Sequence, residues 1–244
     1  MRTLVSLAAF TLVAGVIGCS SEPSASLTPT LTTIDVTLGA SAIEVGQVVR
    51  VTAIALDQHG DSIPSGQPLF ASSNPNVAEV DPKTGSILGI SSGTAEIMAT
   101  VGARTGARTI SVAFPPMIVV NEIRSNDDAP GGWVELYNPT DRAVDLGGWK
   151  VANEHIQPAA TLPAGTSIGA KGYLVLEESV FPLGISRVGG IHVFSRYSVL
   201  VDDPFWSAPI VATIGRCPNG QGDLEALGAA TKGATNSCPD AKAR

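Results

Sequence analysis

Residues 133–151 read WVELYNPTDRAVDLGGWKV, and this stretch decides the fold. In Trp133-Val134-Glu135-Leu136-Tyr137, Val134 and Leu136 fall on one face of an extended chain, and Trp133, Glu135 and Tyr137 fall on the other. A period of two marks a half-buried strand. Asn138-Pro139-Thr140-Asp141 then supplies turn chemistry, because proline fixes φ while asparagine and aspartate tolerate the bend. Val144 and Leu146 resume the apolar pattern, Gly147-Gly148 let the backbone swing, and Trp149-Lys150-Val151 opens another strand. The stretch is a β corner. Upstream, the apolar run 117–123 predicts one more strand.

The rest of the chain has the same character. It is rich in Gly, Pro, Ser, Thr, Val and Ala, and no long amphipathic helix can be drawn through it. Short apolar runs between turn signals predict an all-β protein made of sandwiches. The length allows two small domains once an N-terminal leader is removed. The formal net charge of −7 is spread evenly: residues 27–116 hold 4 basic and 7 acidic side chains, and residues 117–244 hold 10 and 14. Neither half carries the basic footprint of a phosphate-tracking surface, so nucleic acid is disfavoured as a direct ligand.

Three motifs in order, VVNEIRSND (119–127), the corner itself, and LPAGTSIGAKGYLVLEE (162–178), resemble the lamin tail domain. This is an immunoglobulin-like sandwich found at the tail of nuclear lamins and in many secreted or surface bacterial proteins. The resemblance implies a module over residues 117–240. Residues 31–113 resemble a second family, the group 2 bacterial immunoglobulin-like domain of intimin- and invasin-type adhesins. The resemblance is carried by IEVGQVVRVTAIALDQHGDSIPSG (43–66), SSNPNVAEVDPKTGSILGISSGTAEIMAT (72–100) and ARTISV (107–112). Where that family usually has a core tryptophan before the Ser-Ser-Asn-Pro turn, this chain has Phe70, a smaller ring that can still fill a core. Two tandem immunoglobulin-like sandwiches are therefore expected, joined by the stiff Phe114-Pro115-Pro116 (114–116).

Residues 1–18 have the form of a secretory leader: Met1-Arg2, then an apolar run too short and too rich in Gly and Ala to span a membrane. The run ends in Val16-Ile17-Gly18-Cys19, which resembles a bacterial lipobox. The resemblance implies that Cys19 is lipidated on sulfur and becomes the first mature residue, holding the protein on the membrane by its acyl chains. Residues 19–30 form a flexible tether. Ser20, rather than aspartate, after the cysteine leans toward the outer membrane or cell surface.

With Cys19 lipidated, Cys217 and Cys238 remain as an even pair, expected to form a disulfide across a Gly/Ala-rich tail that is otherwise floppy. A catalytic Cys217 is the sharper alternative, but no histidine lies near it in sequence. Gly165-Thr166-Ser167-Ile168-Gly169 matches the GxSxG elbow of serine hydrolases; that pattern needs a strand-to-helix turn, and a strand is predicted after it here. His59, His155 and His192 are scattered, with no two at metal-ligand spacing. Glu122 and Glu135 are placed to face each other on neighbouring strands, where paired carboxylates can do acid–base work. The plainer reading is a polar sheet face with Arg124 or Lys150 as partner. Acidic loops at Asn126-Asp127-Asp128, Asp202-Asp203 and Asp57/Asp61 offer oxygen ligands to calcium but follow no calcium motif. No cofactor or metal is implied.

The expected role is a lipid-anchored, non-enzymatic surface module that binds through loops at the sandwich ends. The most polar are residues 126–132, with Asn126, Asp127 and Asp128, and residues 153–160, with Asn153, Glu154 and His155. The protein or polysaccharide bound is not specified by the sequence. A second reading, from the frequent company of bacterial lamin-tail domains with extracellular nucleases, is an accessory module for an envelope enzyme.

Overall fold

The computed structural model of the chain describes residues 28–125, 131–156 and 159–238. Cys19, Asn126, Asp127, Asp128 and Asp240 lie outside the described residues.

The first eight strands are β1 (Thr33–Leu38), β2 (Ala42–Glu44), β3 (Val48–Leu56), β4 (Leu69–Ser72), β5 (Ala78–Val80), β6 (Ser86–Gly89), β7 (Gly93–Val101) and β8 (Arg104–Ala113). They form two four-stranded sheets, β1-β3-β6-β5 and β2-β8-β7-β4, with β2 parallel to β8. The sandwich follows from period-two burial. Ala95, Ile97, Ala99 and Val101 of β7 point inward to meet Ile34, Val36, Ile87 and Ile110, and all are buried. Phe70 is buried in the same core, so the smaller ring does fill the site expected for tryptophan. Its neighbour Gly85 has φ +68°, and a Cβ there would sit 3.1 Å from the Phe70 ring and from Val51 Cγ1. Both backbone conformation and packing demand glycine at that turn.

The second group comprises β9 (Val119–Arg124), β10 (Trp133–Tyr137), β11 (Val144–Asp145), β12 (Lys150–Asn153), β13 (Ala160–Thr161), β14 (Ser167–Ile168), β15 (Tyr173–Glu177), β16 (Gly189–Phe194), β17 (Leu200–Asp202), β18 (Phe205–Trp206), β19 (Ile214–Arg216) and β20 (Leu224–Ala226). One sheet runs β15-β10-β9-β19-β20; a second runs β13-β12-β16-β17, with β18 also on β16; β11 and β14 make a two-stranded ribbon. The core between them holds Ile118, Val120, Ile123, Val134, Leu136, Leu146, Trp149, Val151, Ile191 and Val193, and extends to Trp206, Ile210 and Ile214. At the β2–β3 turn the two modules touch: a Cβ on Gly46 would lie 3.1 Å from Val199 Cγ2.

The β corner forms as its residues predict. Asn138 is fully buried, and its Oδ1 accepts from Thr140 N at 2.9 Å and Thr140 Oγ1 at 2.7 Å. Its Nδ2 donates to Arg142 O at 2.7 Å, Gly169 O at 2.9 Å and Ile168 O at 3.2 Å. One side chain thus closes its own turn and ties it to the turn before β15. Gly148, at φ +80°, then lets Trp149 drop into the core, where Leu162 N bonds back to Trp149 O at 2.8 Å.

One expectation is corrected. Strand β10 is buried on both faces: Val134 and Leu136 enter the core, while outward-facing Trp133 and Glu135 are 2% and 0% exposed. The tail, expected to be floppy unless pinned, is pinned by the disulfide and by more besides: residues 214–238 add β19 and β20 to the sheet and then cross its outer face.

Candidate functional site

The chemistry-bearing groups gather on that covered outer face. In the ladder, Glu135 of β10 pairs with Glu122 of β9, which pairs with Gly215 of β19, which pairs with Glu225 of β20. Register partners share a face. The register of β9 on β10 also slips between Glu135 and Leu136, so that Val120 sits opposite Leu136 and Asn121 is the extra residue. A bulge sets two residues against one and re-aims a side chain. Asn121 thereby joins Glu122 and Glu135 on the outer face, and all three are 0% exposed.

Neither Arg124 nor Lys150 partners these carboxylates; that expectation is corrected. Backbone groups and uncharged side chains do so. Thr231 N donates to Glu122 Oε1 at 3.0 Å, and the Thr231 hydroxyl donates to Oε2 at 2.8 Å. Asn121 Nδ2 donates to Glu135 Oε1 at 2.9 Å, and Gly233 N donates to Oε2 at 2.5 Å. Asn236 knits the layer together: its Nδ2 reaches Arg216 O at 2.8 Å and Asn121 O at 3.1 Å. Gly215 leaves room for this, since a Cβ there would lie 2.7 Å from Asn236 Nδ2. Lys232 lies 5.6 Å above the Trp133 ring and forms an ion pair with Glu177. Residues 231–236 thus form a strap across the outer face, and beyond it Cys238 is joined to Cys217 by a disulfide with Cα atoms 5.5 Å apart. Cys217 carries no free thiol while that bond is closed.

Burial raises the Glu135 pKa above its ordinary 4.5; the bonds from Asn121 and Gly233 pull it back, and the neighbouring Glu122 charge raises it. A group with a raised folded pKa binds protons more readily in the folded state. Its contribution to stability is complete below the ordinary carboxylate pKa and is lost as pH climbs through the folded value. The second module therefore loses thermal stability as pH rises above 4.5, and Glu135→Gln flattens that slope. Calorimetry of both proteins across mildly acidic to neutral pH checks this. Equal slopes overturn it.

The loop residues named from sequence serve their own turns. Asn153 is buried at the end of β12, where its Oδ1 accepts from His155 N at 3.0 Å. Glu154 accepts from Gly190 N at 3.3 Å, and its other oxygen lies 3.6 Å from exposed His155 Nε2. Of this set, Asn153, Glu154 and His155 come together. Ser167 is exposed on β14 opposite Asp145, with no strand-to-helix elbow, so the GxSxG match has no structural counterpart. Asp202 accepts from Val120 N at 2.7 Å and pairs with Arg216 at 3.1 Å. Asp57 Oδ1 accepts from His59 N at 2.8 Å and Asp61 N at 3.0 Å. Among the described residues no three His, Cys, Asp or Glu side chains converge as a metal site.

Sequence reasoning placed Glu122 against Glu135 but missed the residues that cover them. The polarity of Thr231 and Asn236 gave a signal, yet their partners on β9, Glu122 and Asn121, lie more than a hundred residues away.

Comparison with known proteins fits this architecture. Residues 30–112 match the Bacterial Ig-like domain (group 2), and residues 113–196 match the Lamin Tail Domain. The protein is thus an all-β tandem, a bacterial immunoglobulin-like domain of group 2 followed by a lamin tail domain. The lamin-tail match stops before Trp206, β19, β20 and the strap, all of which this chain adds to the same body. No curated protein matches the chain. Among solved structures it is similar to domains 5–6 of the S-layer protein SbsC, with 15% identity and TM-score 0.31 over 75% of this chain and 99% of that one. Domains 4 and 5 of the same protein give 16% and 0.33 over 68% and 92%. The Yersinia pseudotuberculosis adhesin InvE gives 16% and 0.27 over 71% and 58%. None of the three is near enough to carry a function across.

Proposed function

We propose that this chain is a lipid-anchored, non-enzymatic protein of the cell envelope, exposed at the outer membrane or cell surface. On this reading its immunoglobulin-like module carries the lamin-tail module as a binding or adhesion unit. The observation that carries it is the order of parts. An apolar N-terminal run ending in Val16-Ile17-Gly18-Cys19, which resembles a lipobox, is followed by a polar stretch and then by two modules that match immunoglobulin-like and lamin-tail families. Acyl chains on Cys19 give stable anchoring, and loops on a rigid sandwich present side chains to a partner. Two β-sandwiches in series also give reach without a large fold, since each module buries its own core.

The test is metabolic labelling with a radioactive fatty acid, combined with protease treatment of intact cells. The expected result is label on the wild type, no label and release from the membrane for Cys19→Ala, and digestion of both modules without permeabilisation. Membrane retention of Cys19→Ala equal to wild type overturns the anchor. Full protection of the modules on intact cells overturns surface display.

A further inference from the structure

The strap over the outer face is bound as a ligand is bound. Two backbone N–H groups two residues apart, on Thr231 and Gly233, each meet a different buried carboxylate, and the Thr231 hydroxyl adds a third donor. Between them the Lys232 side chain turns to an aromatic face and a third carboxylate, Trp133 and Glu177. Toward residues 231–233 the receptor side offers acceptors, and the segment offers donors and one cation. Specificity is built in at each position. A hydroxyl is needed opposite Glu122, and a cation opposite Trp133 and Glu177. Glycine is needed at 233, because φ there is +77°, although a Cβ would meet nothing within 4 Å.

A second feature separates the strap from the body it lies on. Gly228, Ala229 and Ala230, which lead into it, are exposed, and a Cβ on Gly228 would meet nothing within 4 Å. The covalent tie lies at the far end, in the bond between Cys217 and Cys238.

We propose that the outer face of β10, β9 and β19 is a peptide-binding surface for a Thr-Lys-Gly segment. It is filled in cis by residues 231–233 and accepts the same segment of a second copy of this chain once the disulfide is open and the lead-in is cut or the chains are crowded. Opening is thiol–disulfide exchange with a dithiol. Each cystine sulfur leaves as a thiol, having gained one electron and one proton, and the dithiol departs as its own disulfide. While the strap is tethered, its effective concentration is on the order of millimolar, so free peptide at micromolar concentration does not compete. Exchange requires both release of the bond and either cleavage of the lead-in or a crowded solution of chains.

The experiment places a specific protease site between Gly228 and Ala229 of the full chain. The probe is a fluorescein-labelled peptide of residues 229–238 with serine at its last position. The expected result is no uptake by the intact oxidised protein, and saturable uptake after cleavage and reduction with dithiothreitol. The circular dichroism of the sheets keeps its folded form throughout, while Trp133, uncovered when Lys232 leaves its ring, shifts its fluorescence. The same peptide carrying Lys232→Glu fails to bind. In parallel, uncleaved protein reduced at high concentration and reoxidised yields exchanged dimers by light scattering. Absence of uptake by cleaved, reduced protein overturns the proposal, as does unfolding on release of the strap, which makes the segment part of the core fold. Uptake of peptide with monomers alone after reoxidation overturns the second copy as occupant.

Discussion

Trp149→Ala lowers the stability of the second module by about 3–5 kcal/mol, the usual cost of deleting a large aromatic from a core. The reasons are local. Trp149 is 1% exposed and sits at the end of the β corner, among Val144, Leu146, Leu162 and Ile168. Its main chain is fixed on both sides, by Trp149 N to Leu146 O at 3.0 Å and by Leu162 N to Trp149 O. The backbone cannot collapse to fill the hole, so the cavity term adds in full to the lost transfer energy. All three tryptophans lie in the second module, so denaturant titration followed by tryptophan fluorescence reports that module alone. The expected midpoint falls well below wild type while the slope is retained. A loss under about 1 kcal/mol shows instead that the site relaxes.

The corner was legible because its signals are local and agree with one another. Turn residues follow an alternating strand, a double glycine follows the turn, and an aromatic follows the glycines. The same holds for the first module, where Phe70 could be assigned to the core from its place before Ser72-Ser73-Asn74-Pro75. The glutamate pair was half legible. Strand alternation puts Glu122 and Glu135 on one face, but it cannot show that Asn121 joins them, because a bulge leaves no mark in the period of two. Nor can it show burial. Trp133 and Glu135 have the positions of solvent-facing residues and are covered only because residues 231–236, distant in sequence, return over them. The tail looked floppy because its small residues carry little apolar surface. What holds it is hydrogen bonding to buried acceptors, and hydrogen-bond partners across a hundred residues have no sequence period.

The strap is also where covalent and non-covalent closure can be separated. Cys217→Ser/Cys238→Ser removes a bond whose ends are 21 residues apart. In the chain-entropy account, a loop of that size contributes about 3 kcal/mol by restricting the unfolded chain. The native contacts of Thr231, Gly233 and Asn236 involve neither cysteine, so they survive the substitution. The expected result is therefore a loss of about 3 kcal/mol in the second module, with the folded fluorescence of Trp133 unchanged. Hydrogen exchange at Thr231, Gly233 and Asn236 quickens, but only in proportion to that loss. Buried carboxylates deprived of those donors are costly, which keeps the strap seated once the bond is gone. Full exchange at the three amides in an otherwise protected module gives the opposite assignment: the disulfide alone holds the strap, and the hydrogen bonds to Glu122 and Glu135 merely follow.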